Sequence, residues 1–134
     1  MYRSMMHVYV NGSNEAVEFY QKAFDADVLA KHANEDGTAI MHAELDVYGQ
    51  VLALAELSEI RKYLGITAAT NDAITGNTMQ FCLHFGEGKE YIVQKIYDVL
   101  KEGATIECPL GPCGYSPLMA ALTDKFGVNW CIFV

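Results

Sequence analysis

The chain has 134 residues, 51% of them hydrophobic and 19% charged, and a formal net charge of −8. A chain of that length forms one domain that buries about two-thirds of the surface it exposes when unfolded, and its composition lies far from the polar, highly charged regime of disorder. Only nine basic residues are present, scattered along the chain, which excludes a phosphate-tracking nucleic-acid surface because such surfaces need clustered Lys and Arg. No apolar run reaches membrane-span length, and residues 1–4 lead into strand-like alternation where a signal peptide would carry its apolar stretch, so the expected setting is cytoplasmic, away from any membrane.

In chain order, residues 5–10 alternate as a strand, and Ser13 or Asn14 is the expected cap of a helix with apolar residues at Ala16, Val17, Phe19, Tyr20, Ala23 and Phe24. Residues 27–33, 39–47 and 51–56 read as strands, the last two joined as a hairpin through Tyr48-Gly49. Strand periodicity then lapses: Ser58 is the expected cap of a short helix through Leu64, inside a linker spanning 58–77. A strand is expected at 78–85, a helix at 89–101 ending at Gly103, a short strand at 104–108 and a Gly/Pro-rich loop at 111–117. Strands at 118–123 and 128–134 close the chain.

The order of elements therefore repeats. Asp46-Val47-Tyr48-Gly49 and Asp124-Lys125-Phe126-Gly127 share a turn pattern, and the shift of 78 residues from Asp46 to Asp124 also lays Met41 on Met119, Ala43 on Ala121 and Ala53 on Cys131. The expected architecture is α+β, two βαβββ modules, with module one at 4–57 and module two at 78–134 of a single domain. Cys82, Cys108, Cys113 and Cys131 are expected as reduced thiols, since two lie inside apolar strand patterns. The Cys108–Cys113 spacing suits half a zinc site, but no second Cys or His pair follows at the required distance.

Residues 14–24, Asn-Glu-Ala-Val-Glu-Phe-Tyr-Gln-Lys-Ala-Phe, resemble the first helix of the vicinal-oxygen-chelate superfamily, which includes glyoxalase I, bleomycin-resistance proteins and extradiol dioxygenases. Residues 41–45, Met-His-Ala-Glu-Leu, and 123–130, Thr-Asp-Lys-Phe-Gly-Val-Asn-Trp, resemble its PhnB-like branch. That branch usually carries a Phe-Trp-Gly type segment before the last hairpin, where this chain has Gly-Pro-Cys-Gly-Tyr-Ser-Pro at 111–117. The resemblance implies that each module's strands curl into a cup with the helix outside. Strand parity then sends Met6, Val8 and Val10 to the helix and His7 and Tyr9 inward, with Gln80, Cys82 and His84 inward in the second module. On the third strand Met41, Ala43 and Leu45 alternate with His42 and Glu44, which share a face.

In metal-dependent members, the resemblance implies, ligands come from the first and last strand of each module, which here means His7, Ala53, Gln80 and Cys131. Ala53 has no donor atom, so the expectation is that the usual metal site is degraded and no cofactor is needed; any residual divalent-metal site would use His7, Gln80 and Cys131. His42 is the expected general base, with Glu44 orienting its ring, because imidazole titrates nearest neutrality. The i, i+2 spacing of that pair reads as long for a direct hydrogen bond. His7, Tyr9, Gln80, Cys82, His84 and Cys131 are the expected ligand-binding residues. The expected function is binding of a small organic ligand in a cup between the modules, in a homodimer, whether or not a reaction is catalysed. A metal-dependent lyase or isomerase of the glyoxalase type and a non-catalytic dimeric pseudo-enzyme are the alternatives.

Overall fold

Strict alternation of buried and open residues along Met6–Val10 builds β1, whose Val8 and Val10 turn inward while His7 and Tyr9 stay on the other face. The computed structural model describes residues 1–65, 76 and 78–134, and the chain divides into two compact units, Met1–Ile74 and Thr75–Val134. In the first unit β1 is followed by α1 (Ser13–Phe24), β2 (Asp27–Ala33), β3 (Ile40–Val47) and β4 (Gln50–Glu56). The strands form one sheet in the order β1-β4-β3-β2, with β1 parallel to β4 and the other pairs antiparallel. Val17, Tyr20, Ala23 and Phe24 of α1 are buried, and α1 packs on β3 and β4. The sheet side of that core holds Ala43, Leu45, Leu52 and Leu54, all wholly buried. Each buried leucine stabilises the fold by about 1.5–3 kcal/mol relative to an exposed one.

The start of α1 differs from expectation. Gly12, in the left-handed region at φ 89°, is the cap, and neither Ser13 nor Asn14 makes a side-chain cap bond. Instead the Glu56 carboxylate accepts the Gly12 N–H at 3.2 Å and the Ser13 N–H at 2.7 Å, supplying from β4 the negative charge that a helix N-terminus favours. Ser13 Oγ is occupied elsewhere, accepting the Ile40 N–H at 3.0 Å. After β4, α2 (Leu57–Tyr63) starts directly from Glu56, so Ser58 lies inside the helix and does not cap it. Of the expected 58–77 linker, residues 66–75 and 77 lie outside the described residues.

The second unit runs β5 (Phe81–His84), α3 (Glu90–Leu100), β6 (Thr105–Cys113), β7 (Ser116–Thr123) and β8 (Asn129–Phe133), with sheet order β5-β8-β7-β6. This repeats the first unit's topology strand for strand, and together the described residues form two four-stranded sheets and three helices, an α+β fold. The strand expected at 78–85 is confined to Phe81–His84 because the Asn129 side chain takes the Met79 carbonyl at 2.9 Å, replacing the ladder there. The loop expected at 111–117 is instead mostly strand: β6 and β7 pair as far as Cys113 and Ser116, leaving Gly114-Tyr115 as the turn. Register shifts in β6 flank Pro109 and Pro112, whose missing N–H groups cannot serve a regular ladder.

The two hairpins also differ by one residue. Val47 and Gln50 pair around Tyr48 (φ 51°) and Gly49 (φ 85°), a two-residue turn with both φ values positive, as in a type I′ turn. In the other hairpin Asp124 N–H donates to the Val128 carbonyl at 2.8 Å across three residues, 125–127, the last being Gly127 at φ 85°. The 78-residue shift therefore holds for β4 and β8, matching Ala53 to Cys131, but β3 maps to β7 with one residue fewer. Ala43 corresponds to Ala120 and Leu45 to Leu122, all four wholly buried. The sequence pairing of Met41 with Met119 and of Ala43 with Ala121 is corrected accordingly.

Candidate functional site

Across the first unit's sheet, His7 stands opposite Ala53, Ala53 opposite Glu44, and Glu44 opposite Ala30, so one row carries an imidazole and a carboxylate on a single face separated by a methyl group. Arg3, just before β1, reaches the buried Glu44 with both guanidinium nitrogens: Nη2 to Oε1 at 2.7 Å and Nη1 to Oε2 at 2.9 Å. His42 Nε2 lies 3.0 Å from the same Oε1, closing the i, i+2 gap that the sequence made look long. The Arg3 hydrogen bonds above all, then that of His42, hold the Glu44 carboxyl down to about 2. An ionised carboxylate only accepts, so His42 donates this bond from Nε2–H, which leaves Nδ1 outside it.

The rings gather around this pair. The His7 centroid lies 5.7 Å from that of His42 and 4.8 Å from that of Tyr9, the latter edge-on. Loss of solvent and the neighbouring His42 lower the His7 pKa, with Glu44 opposing. His32 on β2 stands opposite His42 in the ladder and adds a third imidazole along the same face. The arrangement suits hydrogen bonding to a polar ligand and proton transfer at His42 Nδ1, with Glu44 fixing the ring and Arg3 fixing Glu44.

Ala53, opposite His7, offers no donor, and both oxygens of Glu44 are already engaged by Arg3. Among the described residues no group of three His, Cys, Asp or Glu is placed to hold a metal ion. Of the residues predicted in the second module, Gln80 is exposed and precedes β5, while Cys82 pairs with Cys131 as His7 pairs with Ala53. His84 stacks on Phe133 with centroids 4.5 Å apart and planes 7° from parallel. Cys131 is buried, and its thiol is pushed up first by burial and then by Cys82. Tyr115 Oη lies 4.0 Å from Cys131 Sγ, a contact that does most to push the phenol up to about 12. Trp130, wholly buried, donates from Nε1 to Asp124 Oδ2 at 2.8 Å.

Sequence reasoning missed Arg3, His32 and Tyr115. Parity extended backwards from His7 reaches Arg3, so a signal existed for that residue. The His32 pairing depends on a ladder with register shifts at Val28/Ala30 and His32/Ala33, which no local pattern reveals.

Residues 4–132 match the family model described as the Glyoxalase/Bleomycin resistance protein/Dioxygenase superfamily, and the chain belongs to that superfamily. Among its relatives is the Mycobacterium bovis protein Mb0911c, 26% identical over 126 residues that cover 94% of this chain and 78% of that protein. A PhnB protein from Bacillus cereus has a solved structure with a TM-score of 0.74 at 18% identity, covering 98% of both chains. The fosfomycin resistance protein FosX from Listeria monocytogenes, solved as a mutant with Mn(II) and dihydroxypropylphosphonic acid, gives a TM-score of 0.66 at 12% identity, covering 98% of this chain and 90% of that one. At these identities the structural likeness shows a shared fold.

Proposed function

We propose that this chain binds a small organic ligand on the open face of the first unit's sheet, with His7, Tyr9 and His42 as contact groups and His42 Nδ1 as the general base if the ligand is turned over. The observation that carries this reading is the Arg3–Glu44–His42 chain, in which a clamped carboxylate fixes a ring nitrogen at 3.0 Å. FosX is described with Mn(II), but the first unit of this chain has alanine opposite His7 and arginine on its carboxylate, which supports a metal-independent reading. The net charge of −8 disfavours long-range attraction of anions and favours neutral or cationic ligands. A homodimer in the cytoplasm belongs to the same proposal; the exposed edge strand β2 supports pairing between copies.

A thermal-shift screen of metal-free protein tests the reading, using a panel of small organic metabolites on one side and Mn(II), Zn(II) and Mg(II) on the other. A ligand specific for the folded state raises the melting temperature. The expected result is stabilisation by an organic compound without added metal, lost in His42→Ala. Stabilisation by a divalent cation alone, with stoichiometric metal on elemental analysis, would establish the metal-dependent lyase or isomerase instead. No response to any compound would favour the non-catalytic dimer.

A further inference from the structure

The second unit gathers sulfur where the first gathers imidazole and carboxylate. Its corresponding ladder row reads Cys82, Cys131, Ala121, Cys108 across β5, β8, β7 and β6. Cys82 and Cys131 are direct partners on adjacent parallel strands, one exposed and one buried, and Cys82 is close enough to help raise the Cys131 thiol. Adjacent strands lie about 4.8 Å apart, inside the roughly 4.4–6.8 Å Cα separation that a disulfide accepts. Tyr115 sets its hydroxyl 4.0 Å from Cys131 Sγ and is itself braced edge-on against Phe133. Cys113 pairs with Ser116 on β7, so a strand separates its backbone from that of Cys131.

We propose that Cys82 and Cys131 form a reversible dithiol oxidation site whose oxidant is a hydroperoxide, with exposed Cys82 as the attacking thiol and buried Cys131 as the resolving one. The Cys82 thiolate attacks the peroxide oxygen: an S–O bond forms, the O–O bond breaks, and the departing alkoxide or hydroxide takes up a proton. Cys82 is then a sulfenic acid, oxidised by two electrons, and the peroxide is reduced to an alcohol or water. Cys131 gives up its proton and attacks the Cys82 sulfur; the S–S bond forms, the S–O bond breaks, and hydroxide leaves with that proton as water. Two thiols and one hydroperoxide thus yield one disulfide, one alcohol or water, and one further water. A dithiol reductant reverses the bond by exchange. Burial, the adjacent Cys82 and, least, Cys113 raise the Cys131 thiol while the Tyr115 hydroxyl opposes them, and its contact at 4.0 Å from Cys131 Sγ makes Tyr115 a positioning residue for the second step.

The test is peroxide titration of the reduced full chain, followed by alkylation, digestion and mass spectrometry. The expected product is a Cys82–Cys131 linked peptide pair with Cys108 and Cys113 alkylated, reversed by dithiothreitol. In Cys131→Ser, a sulfenic acid on Cys82 should be captured by dimedone. In Tyr115→Phe, the disulfide should close several-fold more slowly while Cys82 sulfenic acid forms at the unchanged rate. Cys82→Ser alters an exposed position, keeps the core thiol and should give no disulfide. Recovery of both Cys82 and Cys131 as alkylated thiols after peroxide, or a bond from either to Cys113 or to another chain, would overturn the proposal.

Discussion

At the residue scale, Glu44 shows how one cation sets a carboxylate. Removing the guanidinium in Arg3→Ala should let the Glu44 carboxyl climb from about 2 towards its ordinary 4.5, which a carboxyl-carbon NMR titration reads directly. A Glu44 titration unchanged in that variant would remove Arg3 from the site. His42 and Glu44 were legible as same-face neighbours because strand parity is strict, whereas their contact was not, since sequence spacing ignores how far side chains lean along a strand. Arg3 lies 41 residues from Glu44, and local patterns cannot pair residues so far apart. Asp124 is the other decisive single residue: it accepts N–H groups from Phe126, Val128 and the Trp130 indole at 2.8, 3.1 and 2.8 Å. Asp124→Ala removes the carboxylate that accepts the buried indole N–H and should cost about 1–3 kcal/mol for that bond alone, seen as a lower urea midpoint.

Among the elements, α1 depends on a side chain from another strand. Glu56→Ala should destabilise the fold by about 0.5–2 kcal/mol, the range for a lost N-cap, and Glu56→Gln should recover part of it; chemical denaturation compares the two. The helix itself was legible from its 3.6-residue apolar spacing, but the origin of its cap was not, because Glu56 arrives through the sheet. Tyr48 holds a left-handed conformation at φ 51° in its hairpin, a strained choice for a large side chain. Tyr48→Asn should therefore stabilise the protein by about 1 kcal/mol, and a lower melting temperature would show that contacts of the ring outweigh the strain. The second hairpin's extra residue explains why one fixed shift could not align both strands of the repeat. Turn residues were visible in the sequence, while loop length is defined only by which backbone groups pair.

At the scale of the whole molecule, the sequence carried the α+β class and the twofold βαβββ order because apolar periodicity switches cleanly between two and 3.6. It did not carry the ends of β5 and β6, where an asparagine side chain and two prolines decide the ladder. Acid stability follows from groups in both units. Hydrogen bonds from Thr38 lower Asp36, those from Arg3 and His42 lower Glu44, and those from Lys101 and Gln94 lower Asp98. Each folded value lies below its unfolded one, so unfolding takes up protons in acid: the stabilisation is complete above about pH 5 and drains as pH falls towards about 2. Lowered His7 has the same sign, its contribution complete above its unfolded value of 6.5 and falling away as pH drops below that and through the lower folded value. Urea midpoints should therefore decline steadily from pH 7 to pH 3, and a midpoint that rose on acidification would contradict these assignments.

The ladder rows give the halves unlike chemistry on a common frame, and every cysteine lies at position 82 or later. A maleimide dye or spin label coupled to exposed Cys82 would consequently attach to the second unit and leave the imidazole face of the first unlabelled, so that half of the duplication can be tagged while the other keeps its native residues.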